Sequence, residues 1–340
     1  MKKLVSIMLI CIFVLSLSSC GLLFGEAKYK FSYLDSDKYT AGNTEINDAS
    51  GLSKIHVSWY SGNITVKTHS KDTVIIEETA EGIGDDAHRV HYYYYKSSEG
   101  DVLDVQFGKS GVEDYEGVTK NVVISVPEND EYYIGITSHG ANVTVDTSEY
   151  ENTLDKLSVT TEYGAVHASI YNADTVQIAG YNQDKGDLVN RIYELDAEGY
   201  ISSLGFNSSY AEVKVNADTV YSMDNFGSAY CKTYFDVRKA GSIKILATHA
   251  ETYVDTEDFA SIEITGREKP IYINIPDDTQ FTLDITREKA YDSDKDMVSD
   301  IVEIGFDGVN KVSDTKYTVG NGEKSIKITT FNAIYINKAD

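Results

Sequence analysis

Three places in this 340-residue sequence carry residue types that could do chemistry. The first is Asp292-Ser293-Asp294-Lys295-Asp296. Counted from Asp292 as position 1, Asp294, Asp296, Asp300 and Glu303 fall at 3, 5, 9 and 12, ligand positions of an EF-hand calcium loop. Position 6, where the sharp turn needs glycine, is Met297, and the flanks read as strands rather than helices. A solvated acidic loop is the plain expectation. Calcium held by Asp292, Asp294, Asp296, Asp300 and Glu303 is the alternative, and no other cofactor is expected. The second place holds His88 and His91, whose spacing on a strand sends them to opposite faces, so they cannot share a metal. The third is Gly108-Lys109-Ser110, the end of a phosphate loop; Leu103 stands where its first glycine belongs and no helix follows. Neither a Gly-x-Ser-x-Gly elbow nor a His-Glu-x-x-His run occurs. No catalytic residue is expected, and the chain reads as non-enzymatic.

A different chemistry is written at the start. Lys2 and Lys3 precede an apolar run, Leu4 to Leu17, that is too short for a bilayer core needing about 20 residues. It ends in Leu17-Ser18-Ser19-Cys20-Gly21, which resembles the lipobox of bacterial lipoproteins. The resemblance implies cleavage before Cys20 and acylation of its sulfur. Residues 1–19 are thus expected to be a signal peptide and 20–38 a lipid-anchored tether. The protein would be extracytoplasmic, held at the membrane by Cys20. Cys11 leaves with the signal, so Cys231 is the one remaining thiol. No intrachain disulfide can form, and Cys231 is expected to be buried in register with Val66.

Elements that could position an outer face come from repetition. A small residue, any residue, then apolar–polar–apolar recurs at Gly62–Val66, Ala141–Val145, Gly164–Ala168, Ala211–Val215, Gly227–Cys231 and Ala250–Val254, with a weak copy at 186–188. A second piece recurs as Asp155–Val159, Ala173–Val176, Ala217–Val220, Gly241–Ile245 and Ala260–Ile264. Period-two alternation makes both pieces strands. A half-apolar strand of five residues buries its inner face only by stacking on the next copy. The expected fold is therefore all-β, a right-handed parallel β-solenoid over 39–338 with two short strands per coil of about 20–25 residues. Residues 39–60 are expected to cap one end, and either Arg287–Ser299 or a last hairpin, Tyr317–Ile336, the other. Arg89–Lys96 and Asp101–Gly108 read as a strand pair, and 180–205 as a protruding loop.

The middle, outward position of the first piece carries Thr65, Thr144, His167, Lys214, Tyr230 and Tyr253. In-register coils would put His167, Tyr230 and Tyr253 on one face, where the rings could stack on sugars. Ordinary cross-strand aromatic pairing is the alternative. With 54 Asp and Glu against 30 Lys and Arg, net −24, nucleic acid is excluded as a partner. A glycan or surface protein, bound by a monomer, is the expectation.

The serial order Ile55-His56-Val57-Ser58-Trp59, Ser61-Gly62-Asn63-Ile64-Thr65-Val66 and Thr73-Val74-Ile75-Ile76-Glu77-Glu78 resembles the DUF4097 family of bacterial envelope proteins, described as candidate adhesins. Asn121–Pro127 and Ile326–Ile336 continue the likeness, with Asn332 in place of that family's turn glycine. The resemblance implies a β-solenoid and an adhesin-like surface role, and supplies no catalytic residues. An envelope-stress sensor is an alternative. A polysaccharide-acting β-helix enzyme is another, but it would need converging carboxylates that the sequence does not cluster.

Overall fold

The computed structural model of the chain describes residues 32–80, 85–112, 117–129, 131–180, 191–230, 232–289 and 298–339. Period-two alternation sets the architecture. The described residues form 23 strands, joined into one hydrogen-bonded sheet, and two short 3-10 turns, Ser36–Lys38 and Asp86–His88. Most of the sheet is parallel and folded into coils, each with a leading strand, a corner and a trailing strand. In Leu52–His69 and Tyr132–Asp146 one bent strand supplies both, and the two pair in parallel register from Lys54↔Tyr133 to Lys67↔Asp146.

Register turns the repeat into columns. On the leading strands Leu103, Ile55, Ile134, Leu157, Val176, Leu204, Met223, Ile243, Ile262, Ile326 and Leu283 lie directly over one another, and all are buried. On the trailing strands Ile64, Val143, Val166, Tyr193, Val213, Thr233, Thr252, Ile271 and Ile334 form a second column. Val254 belongs to the next buried column, with Val215, Phe235 and Ile273. The core is thus a continuous stack, because a one-residue slip would turn every apolar side chain outward.

The small residue that opens each first piece has a steric cause. A Cβ on Gly164 would sit 1.8 Å from the Ala141 carbonyl oxygen one coil below. Gly62 faces the same limit against Lys120 and also takes a left-handed φ of 98°. In the coils that carry the first piece this position holds glycine or alanine, and Ala141, Ala211 and Ala250 are buried there.

One copy falls elsewhere than its pattern suggests. Gly227–Ala229 completes a leading strand, paired with Asn207–Ser209 and Leu246–Thr248. The trailing strand of that coil is Thr233–Val237, hidden in the sequence because its inward position is a fully buried threonine. Cys231 and the weak copy at 186–188 lie outside the described residues. Within 180–205, Ile192–Ser209 is a single long strand rather than a loop, since Tyr193, Leu195 and Ala197 alternate inward. The antiparallel pair His91–Tyr95 with Asp101–Gln106 forms where expected.

Both ends depart from sequence order in the same way. The coil of Leu52–His69 does not cap the stack; it lies between Tyr132–Asp146 on one side and Asp101–Gln106 with Lys120–Pro127 on the other. Likewise Lys324–Thr330 and Ile334–Lys338 are not a closing hairpin. They make a full coil inserted between Asp258–Gly266 with Ile271–Ile275 and the outer layer of Phe281–Arg287 with Val302–Ile304. Ile326, Ile328, Ile334 and Ile336 alternate inward like any inner coil, which is why this segment cannot serve as a lid. The end layers are closed by antiparallel strands instead. Thr73–Ala80 and His91–Tyr95 cover the N-terminal layer, with Thr44–Asn47 and Thr40–Ala41 outside them. Lys316–Val319, backed by Asn310–Ser313, covers the C-terminal one.

The N-terminal closure is pinned by a buried ion pair. Lys120 Nζ lies 2.8 Å from Glu78 Oε1, and both side chains are almost wholly removed from water. The same ammonium donates to the carbonyls of His88 and Phe107 and sits 4.1 Å from the Phe107 ring centroid. Burial pushes the Lys120 pKa down to about 8 against the pull of Glu78. Between about pH 8 and the ordinary lysine value of about 10.4, the unfolded chain therefore binds more protons than the fold, and this group's contribution to stability rises with pH. The melting temperature of the wild type, compared with Lys120→Met/Glu78→Gln, should accordingly climb from about pH 8 to about pH 10; a constant difference refutes the assignment. Deleting residues 324–340 should abolish hydrogen-exchange protection in 281–287 and 302–304, which that coil joins to 258–275, and leave 133–180 and 191–215 protected. Retained protection in 281–287 would show that the inserted coil does not join them.

Candidate functional site: the outer face of the trailing strands

Outward residues also stack in columns. One runs His167, Glu194, Lys214, Tyr234, Tyr253, Tyr272 and Tyr335, ending beside Glu303. Two residues along the same strands, a second column runs Ser169, Asp196, Asn216, Asp236, Asp255, Asn274 and Asn337.

Four consecutive tyrosines make the first column a ring ladder. Centroids of Tyr234–Tyr253, Tyr253–Tyr272 and Tyr272–Tyr335 are 4.9, 4.8 and 5.0 Å apart, with interplanar angles of 10°, 6° and 9°. This is the strand spacing itself. Each inner ring has both faces covered by its neighbours, so sugar rings cannot stack on them; what the ladder offers outward is ring edges and a row of phenol oxygens. Tyr253 OH donates to Glu251 Oε2 at 3.2 Å, and burial, with that carboxylate second, pushes its pKa up to about 12. Tyr253 is therefore neutral at physiological pH, with its hydroxyl proton donated to Glu251.

The second column carries the charge. Asn216 Nδ2 donates to Asp196 Oδ1 at 2.7 Å, Asn274 Nδ2 to Asp255 Oδ2 at 3.4 Å, and Asn337 Nδ2 to Asn274 Oδ1 at 3.3 Å. Asp236 stacks on Asp255, and burial together with that like charge raises its pKa. No ion pair among the described residues neutralises Asp196, Asp236 or Asp255. Arg238 lies close by but is committed to Asp218 at 2.5 Å. Asp196, Glu198, Asn216, Asp236 and Arg238 border an open depression of about 340 Å³.

Of the residues expected to share a face, His167 and Tyr253 do lie in one column, with Glu194, Lys214 and Tyr234 between them. Tyr230 does not join them. It is a left-handed corner residue, φ 57°, in a separate stack with Tyr210 and His249 at 4.8 and 4.2 Å. The cause is the misassigned Gly227 copy. Tyr234 is hidden with that strand, and Tyr272 and Tyr335 sit on strands whose opening position holds Lys269 or Asn332 instead of a small residue, although the equal steps of 19 from Tyr234 to Tyr253 to Tyr272 are plain in the chain.

His167, Glu194 and Asp196 bring ligand atoms within 4.8 Å of one another, with His167 Nδ1 3.1 Å from Glu194 Oε2. Those three could hold a divalent ion at the exposed surface. Of the calcium candidates, Asp292, Asp294 and Asp296 lie outside the described residues. Asp300 is exposed, Glu303 extends the tyrosine column, and strands, Phe281–Arg287 and Val302–Ile304, flank the segment. His88 sits in a 3-10 turn bonded to Asp85, apart from the buried His91. Asn332 holds its turn through side-chain hydrogen bonds to Glu268 O and Ala333 N. No helix among the described residues is long and apolar enough to cross a membrane.

No protein-family model matches the chain, and no curated protein matches it. Three solved structures span most of its length. A candidate cell-adhesion protein from Clostridium sporogenes is 8% identical, covering 89% of this chain and 100% of that one, with a TM-score of 0.25. A candidate adhesin from Parabacteroides merdae is 10% identical, covering 89% and 97%, with a TM-score of 0.43. A candidate lipid-binding protein from Parabacteroides distasonis is 12% identical over the same shares, with a TM-score of 0.38. At these scores the likenesses carry no weight for function, and the DUF4097 resemblance remains one of residue order.

Proposed function

We propose that the protein is a lipid-anchored, non-enzymatic module of the cell envelope, adhesin-like in use, that holds an extended partner on its trailing face. The observation that carries this reading is the tyrosine ladder, Tyr234–Tyr253–Tyr272–Tyr335, beside its carboxylate and amide column. A face that repeats a tyrosine beside an Asp or Asn on four coils suits a ligand that also repeats. Tyrosine suits contact because it offers a rigid, amphipathic side chain at low entropic cost. Placement of the carboxylates supports binding over catalysis: they stand in a row along an open face. The Cys20 lipobox and the apolar run before it support anchoring outside the cytoplasm. A right-handed winding follows from the crossover rule, obeyed in about 98% of parallel connections.

The test is retention of the detergent-solubilised full chain on immobilised envelope polysaccharide and extracellular-matrix preparations. Wild type should be retained, and Tyr253→Ala/Tyr272→Ala should lose at least about tenfold in retention, equivalent to about 1.4 kcal/mol. Ser242→Lys/Ser261→Lys, on the leading strands, should be retained like wild type. Circular dichroism must show the strands intact in each. Equal retention of the tyrosine variant, or loss only in the serine variant, removes the reading.

A further inference from the structure

Imidazole and carboxylate meet at four places among the described residues: His88 with Asp85, His139 with Glu162, His167 with Glu194 and His249 with Glu268. In three of them a single carboxylate answers the ring. At His167 a second one arrives. The ligand atoms of His167, Glu194 and Asp196 lie within 4.8 Å of one another, and no other trio of His, Cys, Asp and Glu among the described residues does so.

Register delivers the three donors. His167 and Glu194 are direct partners on the parallel strands Val166–Ile170 and Ile192–Ser209, and Asp196, two residues on, leaves the same face. Asp196 adds a negative charge that the ring could not balance even if protonated, since Glu194 already takes its one charge. The neighbouring cations are committed elsewhere: Lys214, the register partner of Glu194, to Glu212 at 3.0 Å, and Arg238 to Asp218.

Two of the donors are oriented by residues outside the trio. Ser169 Oγ lies 3.3 Å from His167 Nε2, and Asn216 Nδ2 donates to Asp196 Oδ1 at 2.7 Å, which leaves Asp196 Oδ2 to a ligand. A ring that donates its Nε2 proton to Ser169 presents a bare lone pair at Nδ1, the outer-shell arrangement that metal-binding histidines use. That Nδ1 is 3.1 Å from Glu194 Oε2. Two bonds of about 2.1 Å meeting at a tetrahedral ion put their ligand atoms about 3.3 Å apart. The nitrogen also selects the ion. Calcium and magnesium prefer shells made of oxygen, whereas one imidazole with two carboxylates suits zinc and its neighbours in the first transition series.

We propose that His167 Nδ1, Glu194 Oε2 and Asp196 Oδ2 bind one divalent transition-metal ion, zinc foremost, with water in the outward positions. Asp196 borders the open depression, so those positions face solvent. The ligands come from two coils, His167 and Glu194 being 27 residues apart, and the ion clips these layers together. This site fills whether or not the tyrosine ladder holds a partner.

The experiment is calorimetric titration of the detergent-solubilised full chain, stripped with EDTA and then freed of it, with zinc chloride and separately with calcium chloride. Wild type should show a saturable zinc site that His167→Ala removes and Glu194→Gln/Asp196→Asn weakens at least tenfold. His139→Ala and His249→Ala, which break single-carboxylate pairs, should bind zinc like wild type. The thiols are common to every variant, so a site that vanishes with His167 is not theirs. Zinc should raise the melting temperature of wild type by more than that of His167→Ala, because the ion binds only the folded pair of strands. Circular dichroism must show the strands intact in each variant. Zinc uptake unchanged in His167→Ala, an equal loss in His249→Ala, calcium displacing zinc at equal concentration, or no saturable zinc binding each overturns the site.

Discussion

Parallel in-register pairing is the constraint from which the rest follows. It places each residue about 4.8 Å above its counterpart in the previous coil, so any choice made at one position is repeated as a column. Inside, the repetition yields the uninterrupted leading column from Leu103 to Leu283. Where a trailing strand opens it can leave no room for a side chain, as the contact awaiting a Cβ on Gly164 shows. Outside, it stacks like on like, which is favourable for tyrosine rings and unfavourable for Asp236 over Asp255. The same rule therefore makes both the core and the candidate site, and the site is the place where stacking is left uncompensated.

Buried polar groups are tolerated where the register leaves no alternative. Thr233 and Thr252 occupy inward positions filled elsewhere by valine and isoleucine, and Lys120 is buried only because Glu78 and two carbonyls meet it. The ion pair fixes where the antiparallel strand Thr73–Ala80 meets the parallel layer at Lys120–Pro127. A buried pair of this kind is weak evidence for net stability, since desolvation opposes the attraction, but breaking one partner is costly. Its value here is in specifying where parallel stacking stops.

Much of the coil was legible in the chain because alternation and the small corner residue are local signals. Five of the six named first pieces are trailing strands. The Gly227 copy failed because Thr233, a polar residue facing inward, concealed the true strand, and with it Tyr234 and the ladder's spacing. The order of the layers was not legible at all. Whether Leu52–His69 ends the stack or lies one layer inside depends on which strand edges are free when it docks, and nothing within the segment records that. The acid column was hidden similarly: Asp196, Asp236 and Asp255 are unremarkable in a chain this acidic until register aligns them.

The doubled ends have a mechanical meaning. An array of coils held only by nearest neighbours can be peeled one turn at a time from either extremity. Here the turns nearest the two chain ends, Leu52–His69 and Lys324–Lys338, are each gripped on both sides. Tension applied along the chain can strip Thr40–Ala41 and Thr44–Asn47, each paired on one side, but to go further it must drag a wedged turn out past two sets of main-chain hydrogen bonds. The fold is latched against unravelling in the manner of a rope whose ends are spliced back into the lay.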